Sequence, residues 1–524
     1  MEPGIIWSLW SSIWSGLHIN GSDFIFLISL AVFCFFLLRL AYNLYLHPLA
    51  AYPGPVAWRM SRIPYLRAVW SGRLHVTLAR LHKKYGVAMR IAPNEISFAD
   101  PEAWNDIFSN RGNPAFPKSA VWHGAQSGRT PGITNALDTK THSRFRRALD
   151  PVFTDRALSS QETTLQQHVN RLISILEAEV EKGVEAGAQV NIADWYTYTL
   201  FDITGDLAFG ETFDCLRSDK FRNWPSLISG MLKTYTMTAM LRHYSLVNKV
   251  LEHILIPSQA QLRAMKHWEM AINRIDKRLN TETDRADFVS FFETTERQTN
   301  KEGVTVDEIK ATSSTFIIAG AETASTVLTG ITYHLIRTNP GALARLTKEV
   351  RDYFPRNSDI TLDALKSLAY LNAVIQEALR MCIPVPNGDA RITPAVRGKV
   401  AGHWIPGNTF VSVHPFTMAM SPERFHEHDM FRPERWLLEA RTDSSSPYFS
   451  DQRHSIETFG VGAMSCIGKR LAWAEMRLML AKMVWKFELE KEDSGAGNLD
   501  WDNQLAYGLL VREPFEIRLK PRVG

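Results

Sequence analysis

A mainly α-helical body with a smaller β region, standing behind a single N-terminal transmembrane helix, is the architecture this sequence predicts. Three observations lead there. An uncharged apolar run, FIFLISLAVFCFFLL, fills Phe24 to Leu38. From about Thr141 to Leu346 the apolar spacing is mainly helical. Short strand-and-turn segments follow, then a long helix after Gly468. The chain has 524 residues, 45% hydrophobic and 22% charged, which is ample for a large core.

Composition also narrows function. The net charge of +4 comes without any lysine/arginine-rich run, so nucleic acid is not an expected partner. Cys34, Cys215, Cys382 and Cys466 form no CxxC pair and no zinc-like spacing. No disulfide framework is expected, which suits a reducing compartment for the body.

The apolar run alone is shorter than the ~20 residues of a spanning helix. It continues past Arg39 as LAYNLYL, and an arginine can snorkel toward headgroups. The predicted span is residues 24–46; a buried core helix is the alternative. Glu2 and Asp23 are the only charges before the run, whereas Arg39, Arg59 and Arg62 follow it. That asymmetry predicts a short lumenal N-terminus, residues 1–23, and a cytosolic body. The lack of a basic leader argues against a cleaved signal. HPLAAYPGPVAW, residues 47–58, carries three prolines and one glycine and predicts a stiff hinge. Residues 59–524 form the predicted catalytic domain. It opens with a helix in LHVTLARLHKKYG and strands in VAMRIAP and EISFA.

Four constellations carry chemistry. In FGVGAMSCIGKR, Gly460, Gly462 and Gly468 free the backbone, and Cys466 precedes a helix whose positive end favours a thiolate. Such a thiolate suits a haem iron; a buried packing cysteine is the equal alternative. In TVDEIKATSSTFIIAGAETASTVLTGITYHLIRTNP, Thr305 and Glu308 match a capping box and Pro340 marks the stop. At its centre, AGAET, small residues such as Gly320 leave room for a ligand, or simply serve packing beside a solvated Glu-Thr pair. The Thr323 hydroxyl can bond back to Ala319, and Glu322 adds a carboxylate for proton delivery. EALR puts Glu377 and Arg380 on one helix face, and Arg435 of FRPERW can complete a network locking the cysteine loop to the core. In HSRFRRALDPVF, His142, Arg146 and Arg147 can face a dianionic ligand edge or simply solvent.

Together and in this order, these segments resemble the cytochrome P-450 haem-thiolate family over nearly the whole chain after the anchor. The family's Phe-x-x-Gly-x-Arg-x-Cys-x-Gly matches at Phe459, Gly462, Cys466 and Gly468. AGAET resembles its oxygen-activation segment, and Glu377, Arg380 and Arg435 its Glu-x-x-Arg/Arg network. The resemblance implies that Arg146 and Arg391 contact haem propionates. YNLYLHPLAAYPGP and RIAPNEISFADPEAWNDIF look like fungal microsomal members of secondary metabolism. Two departures stand out: Met464 replaces the usual arginine, and His142 a common tryptophan.

The resemblance implies a cytochrome P-450 fold holding haem b with Cys466 as axial thiolate and metal ligand. It implies a monooxygenase in the endoplasmic reticulum membrane that hydroxylates or epoxidises an apolar small molecule. Electrons come from NADPH through NADPH-cytochrome P-450 reductase, with cytochrome b5 as a second donor. No built-in dinucleotide fingerprint is present. Arg144, Arg147, Lys469, Arg470 and Arg477 are the expected basic docking face. Residues 116–138, residues 224–246 and the central helix before Ala319 are the expected pocket segments. The alternatives are a reductase-independent isomerase or dehydratase, and a non-catalytic haem-binding membrane protein.

Overall fold

The computed structural model describes residues 21–109, 115–125, 129–183, 187–245, 247–282, 287–292, 303–492 and 499–522. Most of the expected lumenal N-terminus, residues 126–128 of the first expected pocket segment and residue 246 of the second lie outside these. Helix α1 (Gly21–Ala41) continues as a π turn over Tyr42–Leu46. Residues 22–46 are long and apolar enough to cross a membrane, and none of the most apolar window is buried in the protein. The proline-rich connector is clasped to the body. Arg59 Nη2 donates to Ala50 O at 2.8 Å, and the Arg90 amide donates to Pro53 O at 2.7 Å.

Helix α2 (Leu74–Tyr85) leads into the antiparallel strands β1 (Ala88–Ala92) and β2 (Glu95–Phe98). The helical part then runs α3 (Ala120–His123), α4 (Thr139–Leu149), α5 (Asp155–Lys182), strand β3 (Ala188–Asn191), α6 (Ile192–Phe209), α7 (Trp224–Leu241), α8 (Ser258–Leu279), α9 (Val306–Tyr333), α10 (Pro340–Tyr353) and α11 (Ala369–Met381). Caps explain several starts. Asp138 accepts the Thr141 amide before α4, and Thr154 accepts the Ala157 amide before α5. The reciprocal Thr305–Glu308 box expected from the sequence opens α9.

Helix α9, 28 residues and roughly 42 Å long, threads the largest apolar cluster. It packs on α6, α8 and α11. The β region follows: β4 (Arg391–Ile392), the hairpin β5 (Arg397–Val400) and β6 (His403–Pro406), and β7 (Phe410–Val413). The sheet order β1-β2-β7-β4 pairs β2 with β7 in parallel across the sequence. The last helix, α12 (Lys469–Lys486), packs on α5, α9 and α11. After it come β8 (Phe487–Lys491), β9 (Ala506–Tyr507), β10 (Leu509–Leu510) and β11 (Glu516–Pro521), with β11 closing a sheet between β3 and β8.

Candidate active site

The cysteine loop is shaped by its glycines and pinned from three sides. Gly462 has φ +74°, and a Cβ there would sit 2.2 Å from the Phe108 carbonyl oxygen, so a side chain is excluded twice over. The Cys466 amide donates to Phe459 O at 2.8 Å, closing the turn. Thr458 Oγ1 donates to Leu379 O at 2.9 Å, fastening the loop to α11. Arg146 Nη1 donates to Ser465 O at 2.8 Å, and its Nε meets Asp150 at 3.0 Å. Gly468 caps α12 directly after the cysteine.

Cys466 is accessible, but from a recess: it borders a cleft of about 710 Å³. Burial pushes its thiol up, and the Gly468 amide, Arg146 and Lys469 only partly oppose this. A bound metal would deprotonate such a thiol.

At the middle of α9, Ala319 is exposed and Thr323 partly so, while Ile317, Ala321, Glu322 and Ala324 are buried. A notch thus opens in an otherwise covered helix. Thr323 Oγ1 donates to Ala319 O at 2.8 Å. Gly320 follows the packing alternative. A Cβ there would lie 2.7 Å from Thr204 Oγ1, so the small residue serves the close crossing of α6. Glu322 is about 100° around the helix from Thr323. Its Oε2 accepts from Arg512 Nη1 at 3.2 Å, and the same nitrogen donates to Ser325 Oγ at 3.0 Å. Burial raises the Glu322 carboxyl, with Arg512 acting against it. Its Oε1 has no hydrogen-bond partner. Sequence reasoning missed Arg512 entirely.

The Glu377 network is complete. Arg380 donates to both Glu377 oxygens, at 2.7 and 3.0 Å, and Arg435 Nε donates to Oε1 at 3.0 Å. Trp436 Nε1 at 2.8 Å and the Arg432 amide at 2.9 Å add two donors the sequence did not signal. Arg435 also binds Asp451. Glu377, Arg380 and Arg435 are all fully buried. Burial alone would raise the Glu377 carboxyl, but Arg380 and Arg435 hold it down to about 2.

A third cluster gathers cations near the loop. An isolated antiparallel bridge sets Lys118 opposite Arg391, and directly opposed residues share a face. Both are buried, and so is His142. Arg391 Nη2 donates to Asp389 Oδ2 at 2.6 Å, its Nη1 lies 3.0 Å from Met464 Sδ, and its Nε has no partner. His142 Nδ1 is also unpartnered. Burial and then the charges of Lys118, Arg146 and Arg391 push His142 down to about 4. Lys118 Nζ donates to Thr134 O at 2.8 Å, and burial brings its ammonium down to about 8. Positive groups outnumber Asp389 here, a setting for an anionic ligand edge. The residues therefore fit a haem: an accessible cysteine, a notched helix, and buried cationic groups with unmet hydrogen-bonding capacity.

The expected basic docking face is more mixed. Arg144 is engaged by Glu308 and Gly303 O, so it belongs to the start of α9. Lys366, Lys469, Arg470 and Arg477 line the 710 Å³ cleft, but Asp150, Asp155, Glu162 and Asp363 share it.

Comparison with known proteins agrees with this geometry. The family model for cytochrome P450 matches residues 52–517. The cytochrome P450 monooxygenase astJ of Aspergillus oryzae is 34% identical over 486 residues, covering 92% of this chain and 94% of that protein. Averantin hydroxylase of Dothistroma septosporum is 36% identical, covering 92% and 88%. The cytochrome P450 monooxygenase ABA2 of Pyricularia oryzae is 37% identical, covering 86% and 87%. The chain belongs to the cytochrome P450 family. It is an oxygenase enzyme, and these three relatives are fungal.

Proposed function

We propose that the chain is a membrane-anchored haem-thiolate monooxygenase that hydroxylates or epoxidises an apolar small molecule, an intermediate of fungal secondary metabolism. The observation that carries this is the accessible Cys466 in a loop pinned to α11 and α4. One relative is named a hydroxylase, which favours hydroxylation. Residues 24–46 anchor the protein in the endoplasmic reticulum membrane, with residues 1–23 lumenal, residues 47–58 as hinge and residues 59–524 as the cytosolic catalytic domain. The apolar, uncovered α1 supports this.

Cys466 would hold haem b through its thiolate sulfur, and the haem would supply the iron for activating O2 with two electrons. Phe459, Gly462 and Gly468 shape the loop that presents the sulfur. Gly320 permits the α6 crossing that sets the position of the α9 notch. His142, Arg146 and Arg391 hold the carboxylate edge. Glu377, Arg380 and Arg435 fix the scaffold behind the loop. Thr323 Oγ1, anchored on Ala319 O, keeps its lone pairs free to accept a hydrogen bond in the notch. Glu322, whose carboxyl burial raises against the opposing charge of Arg512, is the carboxylate nearest Thr323 in sequence for proton delivery. Electrons arrive from NADPH through an NADPH-cytochrome P450 reductase docked at the 710 Å³ cleft, with cytochrome b5 as a second donor there.

The test is the carbon monoxide difference spectrum of the reduced full-length protein in microsomes. A strongly red-shifted Soret band, lost in Cys466→Ala, is the expected result. A folded, haem-replete wild type without that band refutes the reading.

A further inference from the structure

A cavity of about 460 Å³ lies between α7, α3, β7 and the β9–β10 turn. That size takes a drug-sized molecule. One end, at Asp389, adjoins the cysteine loop, because Asp389 binds Arg391 and Arg391 reaches Met464, two residues before Cys466. Part of its wall is set in longer elements: Tyr65 stands on the helix Ile63–Trp70, Tyr235 on α7 and Ser412 on β7. Trp122 and His123 differ. They come from α3, a helix of only four residues.

One turn of helix does not hold itself. Helices shorter than about a dozen residues are marginal alone, and the last carbonyls of any helix lack partners within it. The near end of α3 is fixed in the β region. The Ile392 amide donates to Pro117 O at 3.0 Å, Lys118 is bridged to Arg391, and His123 meets Asp389. The far end is held from α7. Arg242, which caps α7, donates through Nη1 to Gly124 O at 2.8 Å and to Val121 O at 3.3 Å, and through Nη2 to Ala125 O at 3.4 Å. A second tie comes from Asn135, whose Nδ2 donates to His123 O at 2.9 Å. The segment bearing Asn135 is itself seated on α9: the Ile133 amide donates to Thr312 Oγ1 at 3.2 Å, and a Cβ on Gly132 would lie 2.8 Å from the Ala311 carbonyl carbon. The acceptors on Arg242 are neutral carbonyls, and Glu252 bears on it only as a nearby charge. A cation on neutral acceptors is a releasable tie, unlike the buried ion pairs around Glu377.

We propose that Arg242 is a positioning residue that latches α3 into the cavity wall, and that a bulky apolar substrate is admitted when α3 swings out about Lys118 and Ser119. The proposal rests on the oxygenase reading above. Its consequence is kinetic. The latch sets how fast a large molecule reaches and leaves the reaction centre, and it leaves small molecules alone. Trp122, held between Tyr65 at 6.5 Å and His243 at 5.8 Å from ring centroid to ring centroid, is the side chain that such a swing withdraws from the wall.

The test is stopped-flow spectroscopy of the full-length haem-loaded enzyme with two haem ligands, clotrimazole as the bulky probe and imidazole as the small one. Hydrogen bonds from a charged group predict that Arg242→Met speeds clotrimazole association roughly tenfold or more, with the imidazole rate unchanged. Arg242→Lys, a point charge that can serve one carbonyl rather than three, should fall between. Asn135→Ala, which frees His123 O from the other side, should also speed clotrimazole and not imidazole. The proposal is overturned if clotrimazole associates with Arg242→Met at the wild-type rate, or if both probes speed up alike, which marks a general loosening. Haem loss from both Arg242→Met and Asn135→Ala also overturns it, by assigning the two residues to the fold. If Arg242→Met alone loses haem, the rates of Arg242→Lys and Asn135→Ala decide by the same criterion. A wild type without the thiolate band overturns the oxygenase reading, whereas unchanged rates in an enzyme that shows the band overturn this proposal alone.

Discussion

Replacing Glu377 by glutamine removes the only carboxylate that Arg380 contacts in the buried network. The charge it leaves behind is fully buried, as is Arg435, which keeps Asp451. Removing one partner of a buried ion pair costs about 3–5 kcal/mol. The shift of the Glu377 carboxyl gives an independent figure. A fall from 4.5 to about 2 corresponds to about 3 kcal/mol. Either value is a large share of the ~5–15 kcal/mol that stabilises a typical fold. The sign with pH follows. The folded value lies below the unfolded one, so the stabilisation is complete above about pH 4.5 and is lost as pH falls toward 2. Urea unfolding followed by far-ultraviolet circular dichroism, at pH 7 and at pH 3.5, measures both effects. Glu377→Gln should unfold at much lower urea at pH 7, and should lose less than wild type between the two pH values. An unchanged midpoint at pH 7 would refute the reasoning.

Other consequences are sharper at single residues. Gly462→Ala must clear a 2.2 Å contact with a backbone oxygen at a positive φ, so the variant should lose the carbon monoxide band; a wild-type spectrum contradicts this. Lys118→Met should speed haem transfer to apomyoglobin several-fold, and adding Met464→Arg should slow it again. Met464→Arg alone should tighten haem retention, an idea that equal or faster loss would end. Arg512→Leu leaves Glu322 buried without its cation, so more hydrogen peroxide should form per NADPH at unchanged haem content. Unaltered coupling of electrons to product would show that Arg512 plays no part in positioning Glu322.

What the sequence made legible was local. The start of α9 was readable because the Thr305–Glu308 box and the helix it caps are adjacent in the chain. The Thr323–Ala319 bond spans four residues and the Glu377–Arg380 pair three. Of the cysteine-loop glycines, Gly460 and Gly462 take the positive φ that glycine permits, whereas Gly468, at φ −80°, does not need it. Long-range partners carried no such signal. Arg512 lies 190 residues from Glu322, and Arg144 lies 164 from Glu308. Arg144 reads as a surface charge until its partner is known, and that is why the expected basic face was overstated. Gly320 shows the same limit in packing: its small size answers to Thr204 on another helix, which no spacing along α9 reveals.

The departure at Met464 and the Asp389 carboxylate are two sides of one arrangement. Arg391 stands between them, with one nitrogen 3.0 Å from the Met464 sulfur and another 2.6 Å from Asp389. A guanidinium at position 464 would be set against that of Arg391, and like charges in contact compete for the nearest carboxylate. That carboxylate is Asp389. The thioether instead offers a neutral, polarisable, weakly accepting contact, which leaves Arg391 committed to Asp389. The cationic charge absent from the loop is matched on the other side of Arg391 by buried Lys118. Buried Lys118 therefore keeps a second cation beside Arg391 where the loop itself supplies none.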